Sequence, residues 1–155
     1  EPVSMLDVSI RADILNLLKR LRRDMGLTML YVSHDLSTIK YLCDRIAVMY
    51  LGKIVELGPV DQVLSNPQHP YTKVLIAAVP VANPDHVKER LLIDDDVPDQ
   101  INLPIGCRFI PRCPFVHERC SQCTHELHEY SPGQFSACLF ADKEQVLNPD
   151  RILEE

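Results

Sequence analysis

The 155-residue sequence has no tryptophan, five glycines and 6% aromatic residues. It contains no G-x-x-x-x-G-K-[ST] segment, so it has no phosphate cradle of that type, and none of its glycines sits in such a loop. Positive charge is not in excess. With 16 basic and 22 acidic residues the net charge is -6, which argues against a general nucleic-acid or anionic-membrane binder. No apolar run approaches the roughly 20 residues needed to span a bilayer. The opening residues show no basic segment followed by an apolar one, so no secretory signal is expected. No internal repeat or low-complexity tract is evident. What is present is an ordinary globular composition, 46% hydrophobic and 25% charged, enough for one domain or a small domain with an appendage.

Cysteine is abundant and unevenly placed. Cys43 stands alone, while Cys107, Cys113, Cys120, Cys123 and Cys138 fall in one short segment. That asymmetry favours a metal or cluster site in a reducing compartment over a disulfide framework. The spacing is Cys107-x5-Cys113-x6-Cys120-x2-Cys123, then fourteen residues to Cys138. Four thiolates can close a tetrahedral zinc site or hold an iron–sulfur cluster. Zinc modules usually present two CxxC knuckles, and this chain has one. The wide gaps, with a Pro after a Cys, suit the cubane cluster somewhat better. His117, His125 and His128 lie in the same stretch and could replace a thiolate on zinc, although such residues are more commonly exposed loop positions.

Upstream, Ile10, Ile14, Leu17, Leu18, Leu21 and Met25 recur at helical spacing, and Gly26 is a natural stop, so a helix is expected from Val8 to Met25 with one apolar face. The run LTMLYVS is apolar on both faces and predicts a buried strand of a parallel sheet. It ends at Ser33-His34-Asp35, where Asp35 or Ser33 could cap a second helix. His34 thus sits at the carboxyl end of a strand, the usual place for ligands in open α/β sheets. RIAVMYLGKIVELG predicts a hairpin around Leu51-Gly52-Lys53, followed by a short helix before Pro67 and another opening at His69-Pro70-Tyr71-Thr72. Eight of the twelve prolines lie from Pro80 onward, and NPDHVKERLLIDDDVPDQ carries six acids against two bases. A domain boundary is expected near residues 80 to 100.

Taken together, Glu1-Pro-x-Ser4-x-Leu6-Asp7, a helix, an apolar strand ending in Ser33-His34-Asp35 and a hairpin resemble the ATP-binding subunits of ABC transporters. The resemblance implies that Glu1 is the glutamate closing the Walker B strand, which orients and polarises the attacking water. Ser4 to Asp7 would be the D-loop, with Asp7 coupling two ATP sites across a dimer, and His34 the switch histidine at the γ-phosphate. Met5 stands where the family usually has Ala. NPQHPYTKVLIAAVP, then GCRFIPRCPF and a late Cys, resemble the C-terminal extension of oligopeptide and dipeptide importers. There, four cysteines can bind a [4Fe-4S] cluster. The matching positions are Cys107, Cys113, Cys120 and Cys138, with Cys123 an additional thiol and Zn²⁺ the alternative occupant.

The fold class implied is α/β: the C-terminal part of an ABC-type nucleotide-binding domain over residues 1–80, then a small, irregular, Cys-rich extension over 81–155. The intact subunit would use ATP and Mg²⁺ at the cytoplasmic face of the cell membrane. Its partners would be transmembrane permease subunits, a second ATPase subunit and, indirectly, an extracytoplasmic solute-binding protein, with no nucleic acid. The phosphate loop, signature motif and glutamine loop do not occur in this sequence. The expectation is therefore a piece of a subunit, inactive alone, that self-associates through its uncovered strand. Two readings of other classes stand beside it: a stand-alone iron–sulfur or zinc module, and a dimerising regulatory domain.

Overall fold

The computed structural model describes residues 7–79, 102–122 and 124–139. The chain divides into two compact units, one ending at Asp44 and the other beginning at Arg45.

The first unit is helical. Helix α1 spans Val8–Met25. Asp7 is extended and its carboxylate accepts the Ile10 N–H at 2.9 Å, satisfying one of the free donors at the helix start. Gly26 ends the helix in the left-handed region at φ 62°, where a side chain would be strained. Helix α2 spans Leu36–Leu42 and is capped by Asp35, which accepts from Ser37 N at 2.9 Å. The basic last turn of α1 serves α2 as well. Arg22 donates to the Leu42 carbonyl at 2.8 Å and pairs with Asp44 at 3.1 Å. Leu15 and Leu42 form the buried centre of this unit, with Ile14, Leu18, Tyr31 and Cys43 packed against them.

Two expectations are corrected here. The apolar face of α1 is narrower than the spacing suggests: Ile10, Leu17, Leu21 and Met25 are exposed, while Leu15 takes the central place. Among the described residues of this unit, α2 and a few neighbouring side chains supply the surface to pack on. The run at residues 27–32 forms no strand, and Leu30 is 94% exposed. A strand requires a neighbour to take its N–H and C=O groups, and no described strand lies beside this one.

The second unit is a sheet with helices. Strands β1 (Arg45–Tyr50) and β2 (Lys53–Pro59) form the expected hairpin. Its turn has Leu51 at φ 43° and Gly52 at φ 77°. Two consecutive positive φ values match the right-handed twist of the flanking strands. Ile46, Val48 and Tyr50 alternate inward along β1. Helix α3 (Val60–Ser65) buries Val60 and Val63, and α4 (Pro70–Ala77) begins with proline at its first position, where no N–H is needed. Two 3₁₀ turns follow, at Ile110–Arg112 and Glu118–Gln122, then β3 (His128–Ser131) and β4 (Gln134–Ser136).

The four strands form one sheet in the order β1-β2-β4-β3, antiparallel throughout. The fold thus combines helices with an antiparallel sheet, rather than the parallel sheet anticipated from residues 27–32. The boundary expected at residues 80 to 100 lies outside the described residues. The chain on either side of it shares this sheet, because β4 pairs with β2 at Glu56↔Ser136 and Leu57↔Phe135.

One side chain ties the sheet to the following segments. Glu56 on β2 is fully buried at 0% exposure. Its carboxylate accepts from the backbone N–H groups of Gln68 and His69, each at 2.9 Å, and from the Gln134 side-chain amide at 2.8 Å. The same Gln134 amide donates to the Asn66 carbonyl at 2.9 Å. A buried carboxylate is tolerable only when its lone pairs are filled in this way. Glu56→Ala would leave these donors without an acceptor. It is expected to destabilise this unit by about 3 kcal/mol or more, seen as a lower urea midpoint, whereas an unchanged midpoint would refute the assignment.

Candidate functional site

The cysteine segment is organised around one cavity. Cys107, Cys113, Cys120 and Cys138 all line a cavity of about 40 Å³, together with His69 and Phe109. None of these four is joined in a disulfide, and each is partly buried. Cys123 lies outside the described residues.

Local structure explains the convergence. The Cys107 N–H donates to the Cys120 carbonyl at 3.0 Å, joining two segments of the loop. Gly106 makes that crossing possible. It has φ 82°, and a Cβ there would lie 2.3 Å from the Cys120 carbonyl oxygen and 2.6 Å from Ser121 Cα. No side chain fits against backbone at that distance. The first 3₁₀ turn carries Cys113 back, its N–H donating to Ile110 O at 3.2 Å, while the His117 N–H donates to Cys120 Sγ at 3.4 Å. Cys138 lies two residues past the end of β4, where Ala137 N donates to Val55 O at 2.9 Å and Cys138 N to Ser136 Oγ at 3.2 Å. Two thiols thus come from a crossed loop, one from a turn and one from just past a sheet strand.

The electrostatics of the four thiols are coupled. Burial pushes the Cys113 thiol up to about 12, with Cys138, Cys107 and Cys120 adding like-charge repulsion and a backbone hydrogen bond with Phe115 opposing them. In the free protein Cys113 is therefore protonated at neutral pH, and a metal or cluster that ligates it must displace that proton. Among the described residues, no group of three or more His, Cys, Asp or Glu side chains is arranged to hold a metal ion.

His69 forms part of the same wall. It is 1% exposed, and its Nδ1 accepts the Tyr71 N–H at 3.1 Å, which caps α4. Its ring stands 6.1 Å from that of Phe109, which meets Tyr50 and Tyr71 edge-on at 5.2 and 5.5 Å. Burial lowers the imidazole from 6.5 to about 4, with His125 contributing further repulsion. His125 itself accepts the Arg108 N–H at Nε2 and adopts φ 59°. His128 belongs to β3.

The remaining sequence-derived positions lie in the first unit. Glu1 and Ser4 fall outside the described residues. Asp7 caps α1 and is exposed, and His34 is exposed on the bend before α2. Sequence reasoning passed over Glu56, His69 and Gln134 as functional positions. His69-Pro70-Tyr71-Thr72 was legible only as a helix start, and a glutamate in a strand of VEL type gives no sign that its carboxylate is buried.

Comparison with known proteins places this arrangement. Residues 55–120 match the family described as oligopeptide/dipeptide transporter, C-terminal region. A peptide import ATP-binding protein of Brucella ovis is 46% identical over 139 residues, covering 90% of this chain and 44% of that protein. The dipeptide transport ATP-binding protein DppF of Escherichia coli is 44% identical over 151 residues, covering 97% of this chain and 44% of its own length. DppF of Haemophilus influenzae is 44% identical over 142 residues, covering 92% of this chain and 43% of that protein. The chain is thus similar to the C-terminal portion of oligopeptide- and dipeptide-type import ATP-binding proteins, and it spans less than half the length of these relatives.

Two outcomes test the site. Gly106→Ala should separate the Cys107 and Cys120 segments, so that thiol reagents label the cysteines faster than in the parent chain. Equal labelling would show that the crossing is not required. The His69 imidazole binds a proton in the unfolded chain before it does so in the folded one. Stability of the cluster-free chain should therefore be lost as pH falls from 6.5 through about 4. His69→Gln should flatten that part of a plot of urea midpoint against pH, and an unaltered profile would contradict the burial argument.

Proposed function

We propose that the chain is the C-terminal portion of the ATP-hydrolysing subunit of an ABC importer for peptides or related solutes. The observation that carries this reading is 44% identity to DppF of Escherichia coli over 97% of the chain. In the intact subunit, Glu1 would orient and polarise the attacking water. His34, exposed on its bend, would contact the γ-phosphate, and Ser4 and Asp7 would couple the paired sites of two subunits. Mg²⁺ would offset the carboxylate charge beside the phosphates. Phosphoryl transfer rests on positioning and charge stabilisation, so a chain without its phosphate cradle lacks the main binding element.

The apolar residues Leu27, Leu30 and Val32 are exposed here and would be covered by the rest of the nucleotide-binding domain. Partners of the intact subunit would be permease subunits and a second ATPase subunit, at the cytoplasmic face of the membrane. Among the described residues, no helix is long and apolar enough to cross a membrane.

The cysteine cavity is read as the site of a [4Fe-4S] cluster held by Cys107, Cys113, Cys120 and Cys138. The donor set supports this reading: four thiols outside any disulfide line one cavity with apolar walls at Phe109, Ile110 and Phe115. Zn²⁺ is the alternative occupant, which the same four thiolates could ligate. The role assigned to the cluster is structural, a staple for an irregular segment with little core of its own.

The 155-residue chain should show no ATP turnover above background, and measurable turnover in a clean preparation would overturn the fragment reading. Prepared without oxygen, it should contain iron and sulfide and should melt at a higher temperature than the stripped chain. Stoichiometric zinc without sulfide, or equal melting temperatures, would contradict the cluster staple.

A further inference from the structure

Beyond the thiols, the cavity wall contains a buried histidine. His69 lines the cavity beside all four cysteines and is 1% exposed. Its Nδ1 accepts the Tyr71 N–H at 3.1 Å, so the lone pair of that nitrogen is engaged. An imidazole that accepts at Nδ1 is neutral and carries its proton at Nε2. The donor of this ring is therefore Nε2–H, on a residue that lines the cavity.

The ring is also held in place. The His69 backbone N–H is bound by the Glu56 carboxylate at 2.9 Å, the next residue is the proline that starts α4, and the Phe109 ring stands at 6.1 Å. Glu56 is in turn anchored on β2 and shared with Gln134 of β4, the strand that leads into Cys138. The same framework therefore sets both the histidine and one of the thiols.

We propose that His69 is a positioning residue for the cysteine site, its Nε2–H donating a hydrogen bond to a thiolate or sulfide sulfur of the bound cluster. This inference rests on the cluster reading given above. Cysteinate and sulfide sulfurs are anionic acceptors, and a neutral N–H donor beside them offsets charge without competing as a ligand. Hydrogen bonds to sulfur are among the factors that set a cluster's reduction potential, and groups outside the ligand shell also set metal affinity. A donor favours the more negative, reduced cluster, so its loss lowers the potential.

The test uses the whole chain, loaded anaerobically with ferrous iron and sulfide, as wild type, His69→Gln and His69→Leu. Wild type and both variants should take up iron and sulfide. His69→Leu should show a lower midpoint potential and roughly 10–100-fold weaker iron retention against a chelator. His69→Gln, which keeps an N–H donor, should recover much of both. Should His69→Leu not fold by circular dichroism, wild type labelled with ¹⁵N-histidine decides the matter. Its reduced cluster should show a weak coupling to a histidine nitrogen in electron–nuclear double resonance, and no coupling overturns the proposal. A wild type that takes up no iron and sulfide removes the cluster reading and this inference with it. Loaded variants with wild-type potential and retention remove this inference alone.

Discussion

The second unit depends on one buried carboxylate. Glu56 sits in the middle of β2 at a position where an alternating strand would place an apolar side chain, and it is wholly enclosed. Enclosing a carboxylate in protein is unfavourable unless donors meet it. Here they come from two distant parts of the chain: the backbone before α4, and Gln134 on β4. Each donor is fixed by the same acceptor, so the hairpin, the His-Pro-Tyr segment and the end of the cysteine segment are held in one geometry. An apolar residue at this place could fill the volume but could not orient two backbone amides and a side-chain amide.

That constraint explains how an irregular segment presents thiols in a defined way. Residues 102–122 form only two short 3₁₀ turns among the described elements. Their order comes from the crossing at Gly106 and from the sheet edge they adjoin. Cys138 follows a strand that is locked by Glu56, and His69 stands on the segment that the same carboxylate binds. Phe109, 1% exposed and packed against Tyr50 and Tyr71, closes the apolar side. The cavity is thus framed by the sheet on one side and by the cysteine loop on the other.

Local features were legible from the residues alone. Asp7 and Gly26 bracket α1, Asp35 caps α2, Leu51-Gly52 turns the hairpin, and Pro70 starts α4, because each depends on backbone chemistry within a few positions. The family resemblance was legible for the same reason, being carried by short contiguous motifs. What could not be read depends on partners far away in sequence. The run at residues 27–32 has strand composition but no described strand beside it, and four apolar residues of α1 are exposed. The pairing of β2 with β4 spans 80 positions between Glu56 and Ser136, and no local pattern announces it. The polar network around Glu56 was missed because burial of a carboxylate is set by tertiary contact, not by its neighbours in sequence.

The most direct measurement is native-state hydrogen exchange at the amides of Gln68 and His69. If Glu56 holds the second unit together, these two amides, although they lie outside any strand, should exchange with the same opening free energy as the β2 and β4 amides. Their protection should be lost together with that of the sheet as denaturant is added. Exchange of Gln68 and His69 by local opening, while the sheet amides stay protected, would contradict the central claim.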